Sequence, residues 1–590
     1  MSKRTLLLRI LIWRVRHVSD RQFMMLLSII VGVAVGIAAV VIKNSVRGIE
    51  YLLTHEFTPG LEQFLLFLYP AVGLILVYLF INYVIKQRVG HGIPSVLFAI
   101  SRNNANIKPH NIYSSVITSA ITVGFGGSVG LEGPTVATGG AIGSNLGRLL
   151  HLNYKRILIL LGCACAGAMA AIFKAPIAAI IFAMEVIMID LTMTAVVPLL
   201  ISSVSAALVS YLLLGPSTIY KFEIVQQFSL HHIHFYLFLG ILTALVSIYF
   251  TKMYMKISQL FEKIKTGYTR VLVSSIILGL LIFLFPSLYG EGYEAINQAL
   301  MGQSDYLFEH TLYFDWQNNL YAFIVVALAV ILFKAIATSV TFGGGGIGGI
   351  FAPSLFIGAS TGLLFSQVMN ALGNHLSLRN FALVGMAGAI AGIIHAPLTS
   401  IFLIAEITGG YELLLPLMIV STISYVTIKY FVPNSVYTIQ LAKRGELITH
   451  HKDKAVLSLM RISKLIETDF KTIPLESNLG DLVENVKASK RNVFPVLDDE
   501  GNLKGIVHLN NIRHIMFRTE LYGEVKVKDL MFIPHNAVDP DQSMEEVAKE
   551  IQESGHFNIP VVKNGKYIGF VSRANVFSSY RRMLRYFSED

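Results

Sequence analysis

Gly124-Phe125-Gly126-Gly127-Ser128-Val129-Gly130-Leu131-Glu132-Gly133-Pro134 is the stretch that decides how this chain is built. Glu132 is its one charge, and no other Lys, Arg, Asp or Glu lies between Lys108 and Arg148. A lone carboxylate at membrane depth costs roughly 3 kcal/mol unless it is paired, hydrated or protonated. The glycines around it leave backbone N–H groups uncovered, and such groups coordinate anions. A glutamate in that position can compete with an anion or carry a proton. The loop reads as part of an anion pathway.

The remainder of the chain supplies the membrane. Its residues are 54% hydrophobic and only 14% charged, with a mean hydropathy of +0.61, outside the soluble range. Phe23–Ile42 and Phe64–Ile85 are apolar runs long enough to span a bilayer. Other apolar runs are cut around Pro94, Pro134, Pro176, Pro353 and Pro397. Broken helices survive at that depth only where protein or a water-filled cavity satisfies their backbone. The first apolar segment has no small-residue cleavage site after a short core, so it is expected to be retained. Cys163 and Cys165 have no His or Asp close by in sequence. They are expected to pack as small hydrophobes, with no metal site.

Charge density changes abruptly near residue 456. Val456 to Asp590 holds 18 Lys/Arg and 19 Asp/Glu, a net −1, which leaves +11 on the residues before it. That excess includes Lys3, Arg4, Arg9, Arg14, Arg16 and Arg21 ahead of the first span, and Lys443, Arg444, Lys452 and Lys454 after the last. By the positive-inside rule both termini face the cytoplasm. The basic balance is a topology signal, not a nucleic-acid footprint. The expected organisation is a cytoplasmic segment over 1–22, a membrane part over 23–440, a linker over 441–465 and a soluble tail over 466–590.

The membrane part repeats itself. Ala166 to Pro176, running on to Glu185, aligns at a shift of 221 with Ala387 to Pro397, running on to Glu406, with nine identical positions. Each copy follows a glycine loop that ends in proline, Gly130-Leu-Glu-Gly-Pro134 and Gly349-Ile-Phe-Ala-Pro353, related by a shift of 219. Ala/Gly helix packing alone gives weak similarity. It does not give a loop, a helix and a terminal glutamate in the same order. Duplications of this kind build pores and transporters with the site where the repeats meet and helix N-termini point at an anion.

At these residues the chain resembles the CLC family of chloride channels and chloride/proton exchangers. The family's three pore motifs read here as Gly90-His91-Gly92-Ile93-Pro94, Gly130-Leu131-Glu132-Gly133-Pro134 and Gly349-Ile350-Phe351-Ala352-Pro353. Its pore-lining tyrosine reads as Tyr437. The resemblance implies an all-α polytopic membrane protein, an inverted repeat with broken, re-entrant helices, and a homodimer with one pore per subunit in membrane lipid. It makes Glu132 the gate. It makes His91, Gly92, the amides of Ile350 and Phe351, and the Tyr437 hydroxyl the anion site. Neutral dipoles hold a halide without trapping it.

Three positions depart from the family pattern. His91 stands where serine is usual; an imidazole N–H can still donate to an anion. Leu131 replaces a basic residue. Val186, directly after Glu185, replaces the internal glutamate through which many exchangers pass protons. Valine holds no proton, which favours passive chloride conduction, with proton-coupled antiport as the alternative. Glu185 and Glu406 are expected to be structural hydrogen-bonding residues.

The tail also has two halves. Phe494–Asp498 with Gly505–Val507 resembles Asn558–Val562 with Gly569–Val571, each strand, turn, strand and then helix. This resembles the small α/β pair of CBS domains found in CLC tails. Such pairs bind adenine nucleotide through a Gly-x-x-Ser/Thr-x-x-Asp signature. Here the second half offers Ser572 and Asn575, and neither half has the aspartate. Chloride is the expected ligand, adenine nucleotide an open alternative, and no cofactor is required. An intramembrane enzyme using Glu132 and His91 lacks a nucleophile with a base partner. A cation transporter would need intramembrane carboxylate ligands rather than glycine loops.

Overall fold

The computed structural model describes residues 14, 16–55, 62–87, 89–90, 92–187, 193–215, 228–309, 311, 314–316, 319–443, 457, 460–534, 536–554 and 556–588. His91 lies outside them. The chain divides into two compact units, Met1–Leu447 and Ile448–Asp590.

In the first unit, nine helices among the described residues are long and apolar enough to cross a membrane, beginning with Asp20–Leu53 and ending with Leu414–Phe431. The runs Phe23–Ile42 and Phe64–Ile85 both fall on such spans. The five prolines that interrupt the sequence pattern all stand at helix starts. Pro94, Pro176 and Pro397 open Ile93–Arg102, Pro176–Glu185 and Pro397–Ile407. Pro134 and Pro353 lie in the first turns of Glu132–Leu149 and Phe351–Ala371. A first-turn proline lacks only an N–H that has no intrahelical partner anyway. Pro176–Glu185 has 10 residues, about 15 Å of helix, half of what a bilayer core demands.

The two halves pack by the same rule. A Cβ on Gly139 would lie 2.7 Å from the Ala164 carbonyl oxygen, and one on Gly143 2.7 Å from that of Leu160. In the second half, Gly358 would meet the Gly385 oxygen at 2.5 Å and Gly362 the Phe381 oxygen at 1.9 Å. A small-xxx-small pair thus brings Glu132–Leu149 onto Tyr154–Phe173, and Phe351–Ala371 onto Leu378–Ile394. Lys174 and His395 then take matching left-handed conformations, φ 56 and 61, before each short helix.

Reciprocal hydrogen bonds lock the halves together. The carboxylate of Glu185 accepts from the backbone N–H of Leu398 at 3.1 Å and Thr399 at 2.7 Å. That of Glu406 accepts from Ile177 at 3.1 Å and Ala178 at 2.8 Å. Each glutamate therefore caps the other half's short helix, with a charge suited to a helix N-terminus. Contacts that run from i to j and from the equivalent of j to the equivalent of i describe an approximate two-fold relation.

The second unit holds two three-stranded sheets. The strands are β1 Ile466–Glu467, β2 Ile473–Pro474, β3 Val493–Leu497, β4 Leu503–His508, β5 Asn558–Lys563 and β6 Lys566–Ser572, ordered β2-β3-β4 and β1-β6-β5. The β3–β4 and β5–β6 hairpins shift register at the same place, Val496/Leu497 and Val561/Val562. Each hairpin leads into a helix, Leu509–Ile512 or Arg573–Ser588.

Candidate functional site

The two glycine loops meet backbone to backbone. The Gly130 N–H donates to the Gly349 carbonyl at 2.8 Å, and the Gly349 N–H donates to that of Gly130 at 2.7 Å. A Cβ on Gly92 would lie 3.0 Å from Gly133, and one on Gly133 3.0 Å from the Gly348 oxygen and the Gly349 Cα. Three segments more than 250 residues apart at their extremes are thus stacked through glycines. Any side chain at Gly133 would prise them apart. Gly92 also has φ +59, a conformation glycine adopts at little cost.

From this junction Glu132–Leu149 and Phe351–Ala371 begin. Neither start has a side-chain cap, so the loop-proximal N–H groups keep their donors for another acceptor. Glu132 is fully buried. Its Oε1 accepts from the Tyr293 hydroxyl at 2.6 Å. Among the described residues its Oε2 has no hydrogen-bond partner, and it lies over Gly130, where an added Cβ would collide with it. The backbone amides of Glu132 and Ala352 direct their dipoles at the carboxylate. The chain's own acid therefore sits where two helix N-termini converge.

Ile350 and Phe351 are buried at the second helix start, and the Phe351 ring packs 5.3 Å from that of Phe173. Tyr437 is also buried, and its hydroxyl has no hydrogen-bond partner. It lies within electrostatic reach of Glu132. A buried phenol normally finds an acceptor; this one suits an anion. Gly90, Gly92, Gly130, Gly133, Gly349, Ile350, Phe351 and Tyr437 are thus all described, with Pro94, Pro134 and Pro353 holding the helix starts. Val186 is buried at the end of Pro176–Glu185.

Other polar side chains gather round Glu132 from segments without a motif. Glu291 Oε1 accepts from the Leu131 N–H at 3.0 Å. Lys43 Nζ donates to the Ile172 carbonyl at 2.6 Å. Lys334, fully buried, donates to the carbonyls of Leu288 at 3.3 Å and Gly290 at 3.2 Å, and its Nζ stands 4.8 Å over the Phe356 ring. A sequence signal for Lys334 existed: it is the sole charge in the apolar helix Leu320–Gly343. Tyr293 had none. Cys163 and Cys165 are buried and unbridged.

In the tail, the Ser572 hydroxyl donates to the Glu467 carboxylate and the Asn575 side-chain amide to the Leu465 carbonyl. The backbone N–H of Asn575 returns to Ser572 Oγ at 3.1 Å. Ser572, at the end of β6, thus bonds to β1, and Asn575 ties the last helix to the residue just before β1. In the same unit, bonds from Arg491 hold the exposed carboxyl of Asp469 below its ordinary value.

Two helical halves, reciprocally capped and joined at a glycine junction inside a bilayer-length bundle, define a multi-pass integral membrane transport protein. Comparison with known families makes that specific. The model described as voltage gated chloride channel matches residues 72–429. The chain belongs to that family, the CLC proteins, which are anion transport proteins rather than enzymes. The CBS domain model matches twice after it, at residues 462–518 and 527–582. A putative chloride channel protein ClcB-like from Ralstonia nicotianae is 28% identical over 71% of this chain and 96% of its own length. The H(+)/Cl(-) exchange transporter ClcA of Vibrio vulnificus is 28% identical, over 69% of this chain and 86% of its own. Among solved structures, a slow cyanobacterial Cl-/H+ antiporter has a TM-score of 0.62 at 22% identity, covering 72% of this chain and 98% of its own. A eukaryotic CLC transporter has a TM-score of 0.60 at 20% identity, covering 94% and 97%. The fold is the CLC fold.

Proposed function

We propose that the chain carries chloride or a related small anion through the glycine junction, with Glu132 as a tethered anion that closes the path until it is displaced or protonated. The observation that carries this reading is the position of the Glu132 carboxylate: fully buried, one oxygen held by Tyr293, the other unpartnered at two uncapped helix starts. A chloride ion is an acceptor of the same sign and suits the same donors. The amides of Ile350 and Phe351 and the Tyr437 hydroxyl form the central anion site, to which the family resemblance also assigns Gly92 and His91. The protein works as a homodimer in lipid with both termini in the cytoplasm. The CBS pair is a structural module, since Ser572 and Asn575 already bond within the protein.

Val186 supports passive conduction, because an apolar side chain in that place relays no proton. A second reading, proton-coupled antiport, is favoured by relatives whose names and descriptions include H(+)/Cl(-) exchange. One reconstitution separates them. Purified protein in liposomes is given an outward chloride gradient, and chloride and proton movements are recorded together. Passive conduction predicts chloride efflux with no uphill proton movement. Sustained uphill proton pumping assigns antiport. Absence of anion flux of either kind contradicts the proposal.

A further inference from the structure

The carboxylate of Glu291 reaches the loop one residue before the gate. Its Oε1 accepts from the Leu131 N–H, while Tyr293, two residues further along, donates to Glu132 Oε1. The short run Gly290-Glu291-Gly292-Tyr293 therefore clamps both Leu131 and Glu132. It is anchored from behind, where Lys334 donates to the Leu288 and Gly290 carbonyls and the Gly290 N–H donates to Gly126 at 3.3 Å. Exposure differs across the pair: Glu132 is fully buried, whereas Glu291 and Lys43 are partly accessible.

The charges facing the pair are few. Glu291 is within electrostatic reach of Glu132, of Lys43 and Glu50 on the first long helix, and of Lys334. Glu132 faces Lys43, Glu291, Tyr293 and Tyr437. Lys43 in turn faces Arg47 and Lys174. Two carboxylates within electrostatic reach of each other in a poorly solvated place resist being charged together, and a cation that reaches both favours charge on each.

We propose that Glu291 sets the pH at which the Glu132 gate releases. It does not touch the anion; it acts through Glu132, as a positioning residue. Wherever Glu291 carries its charge, a protonated Glu132 is easier to reach, so the gate opens at a less acid pH than it would alone. Lys43 acts in the opposite direction. The inference rests on Glu132 being the gate.

The test is the pH profile of chloride flux from reconstituted full-length protein, with folding checked by size exclusion. Glu291→Gln should move the midpoint to more acid pH by about one unit, a tenfold change in proton concentration. Lys43→Met should move it to more alkaline pH. Glu291→Asp keeps the charge and should restore the wild-type midpoint. In a Glu132→Gln background none of these changes should move anything. Glu291→Gln with an unmoved midpoint, or Glu291→Asp shifted as far as Glu291→Gln, overturns the inference while leaving the gate intact. If Glu132→Gln itself keeps the full pH dependence, the gate reading fails and takes this one with it.

Discussion

The loop ending at Pro134 and the loop ending at Pro353 enter their helices on nearly the same backbone: Leu131 at φ −90, ψ −12 and Ile350 at φ −92, ψ −11. The glycines pair across the junction, and the helices that follow pack through equivalent glycines. What differs is the first helical residue, Glu132 in one half and Phe351 in the other. The repeat gives two matching helix starts at the junction, and only the first of them carries a carboxylate, the group proposed above as the gate. In the second half an aromatic ring packs against Phe173 instead.

Substitutions at paired positions test how deep the symmetry goes. The largest effect is expected at Gly349. A Cβ there would lie 2.8 Å from the Gly133 nitrogen, a backbone atom that cannot step aside, and 3.2 Å from Glu132 Oε2. Gly349→Ala should cost about 1–3 kcal/mol as an overpacked junction, seen as a lowered melting temperature in detergent with lost flux. Its counterpart Gly130 meets the tip of a side chain first, Glu132 Oε2 at 2.1 Å, with the Ala352 Cβ at 2.8 Å. Gly130→Ala should therefore push the carboxylate out, weaken the pH-dependent block and destabilise less. Equal melting shifts for the two variants would show that the junction does not distinguish its halves.

Next come the reciprocal caps. Glu406→Gln and Glu185→Gln should each cost about 1–2 kcal/mol, the loss of charge-assisted bonds to a helix start. Glu185→Gln should cost more, since Glu185 also accepts from the Thr399 hydroxyl at 2.7 Å. Transport should persist in both, and loss of flux at unchanged melting temperature would give either glutamate a direct role. The smallest effect on stability belongs to Tyr437→Phe. Among the described residues its hydroxyl has no partner, so stability should stay within about 0.5 kcal/mol of wild type. Anion affinity should fall several-fold, about 1 kcal/mol, measured by chloride titration. Unchanged affinity would remove the hydroxyl from the site.

Much of this was legible because it is written in glycine, proline and charge. The shift of 221 that aligns Glu185 with Glu406 also aligns the amides they cap, so the repeat in sequence became a reciprocal bond in space. Glu132 announced itself as the one charge in an apolar loop. The clamp was not legible. Glu291 and Tyr293 arrive about 160 residues from Glu132, carried by the short helix Tyr293–Leu300, and no local pattern marks a contact of that range. The prolines were read as breaks, and the structure places them as starts, because only in a first turn is the missing N–H free of cost. Ser572 matches the nucleotide signature and Asn575 stands where its aspartate would be, and their polar atoms are engaged with Glu467 and Leu465.

The central claim is that the difference between Glu132 and Phe351 is the gate, and one measurement addresses it directly. Chloride flux is recorded against pH for the wild-type protein and for Glu132→Gln in the same liposomes, with both shown to be folded. The account predicts that the wild-type flux rises with acid, and that the variant conducts at least as fast with its dependence on pH largely flattened. A variant with the wild-type rate and the wild-type pH profile would contradict it.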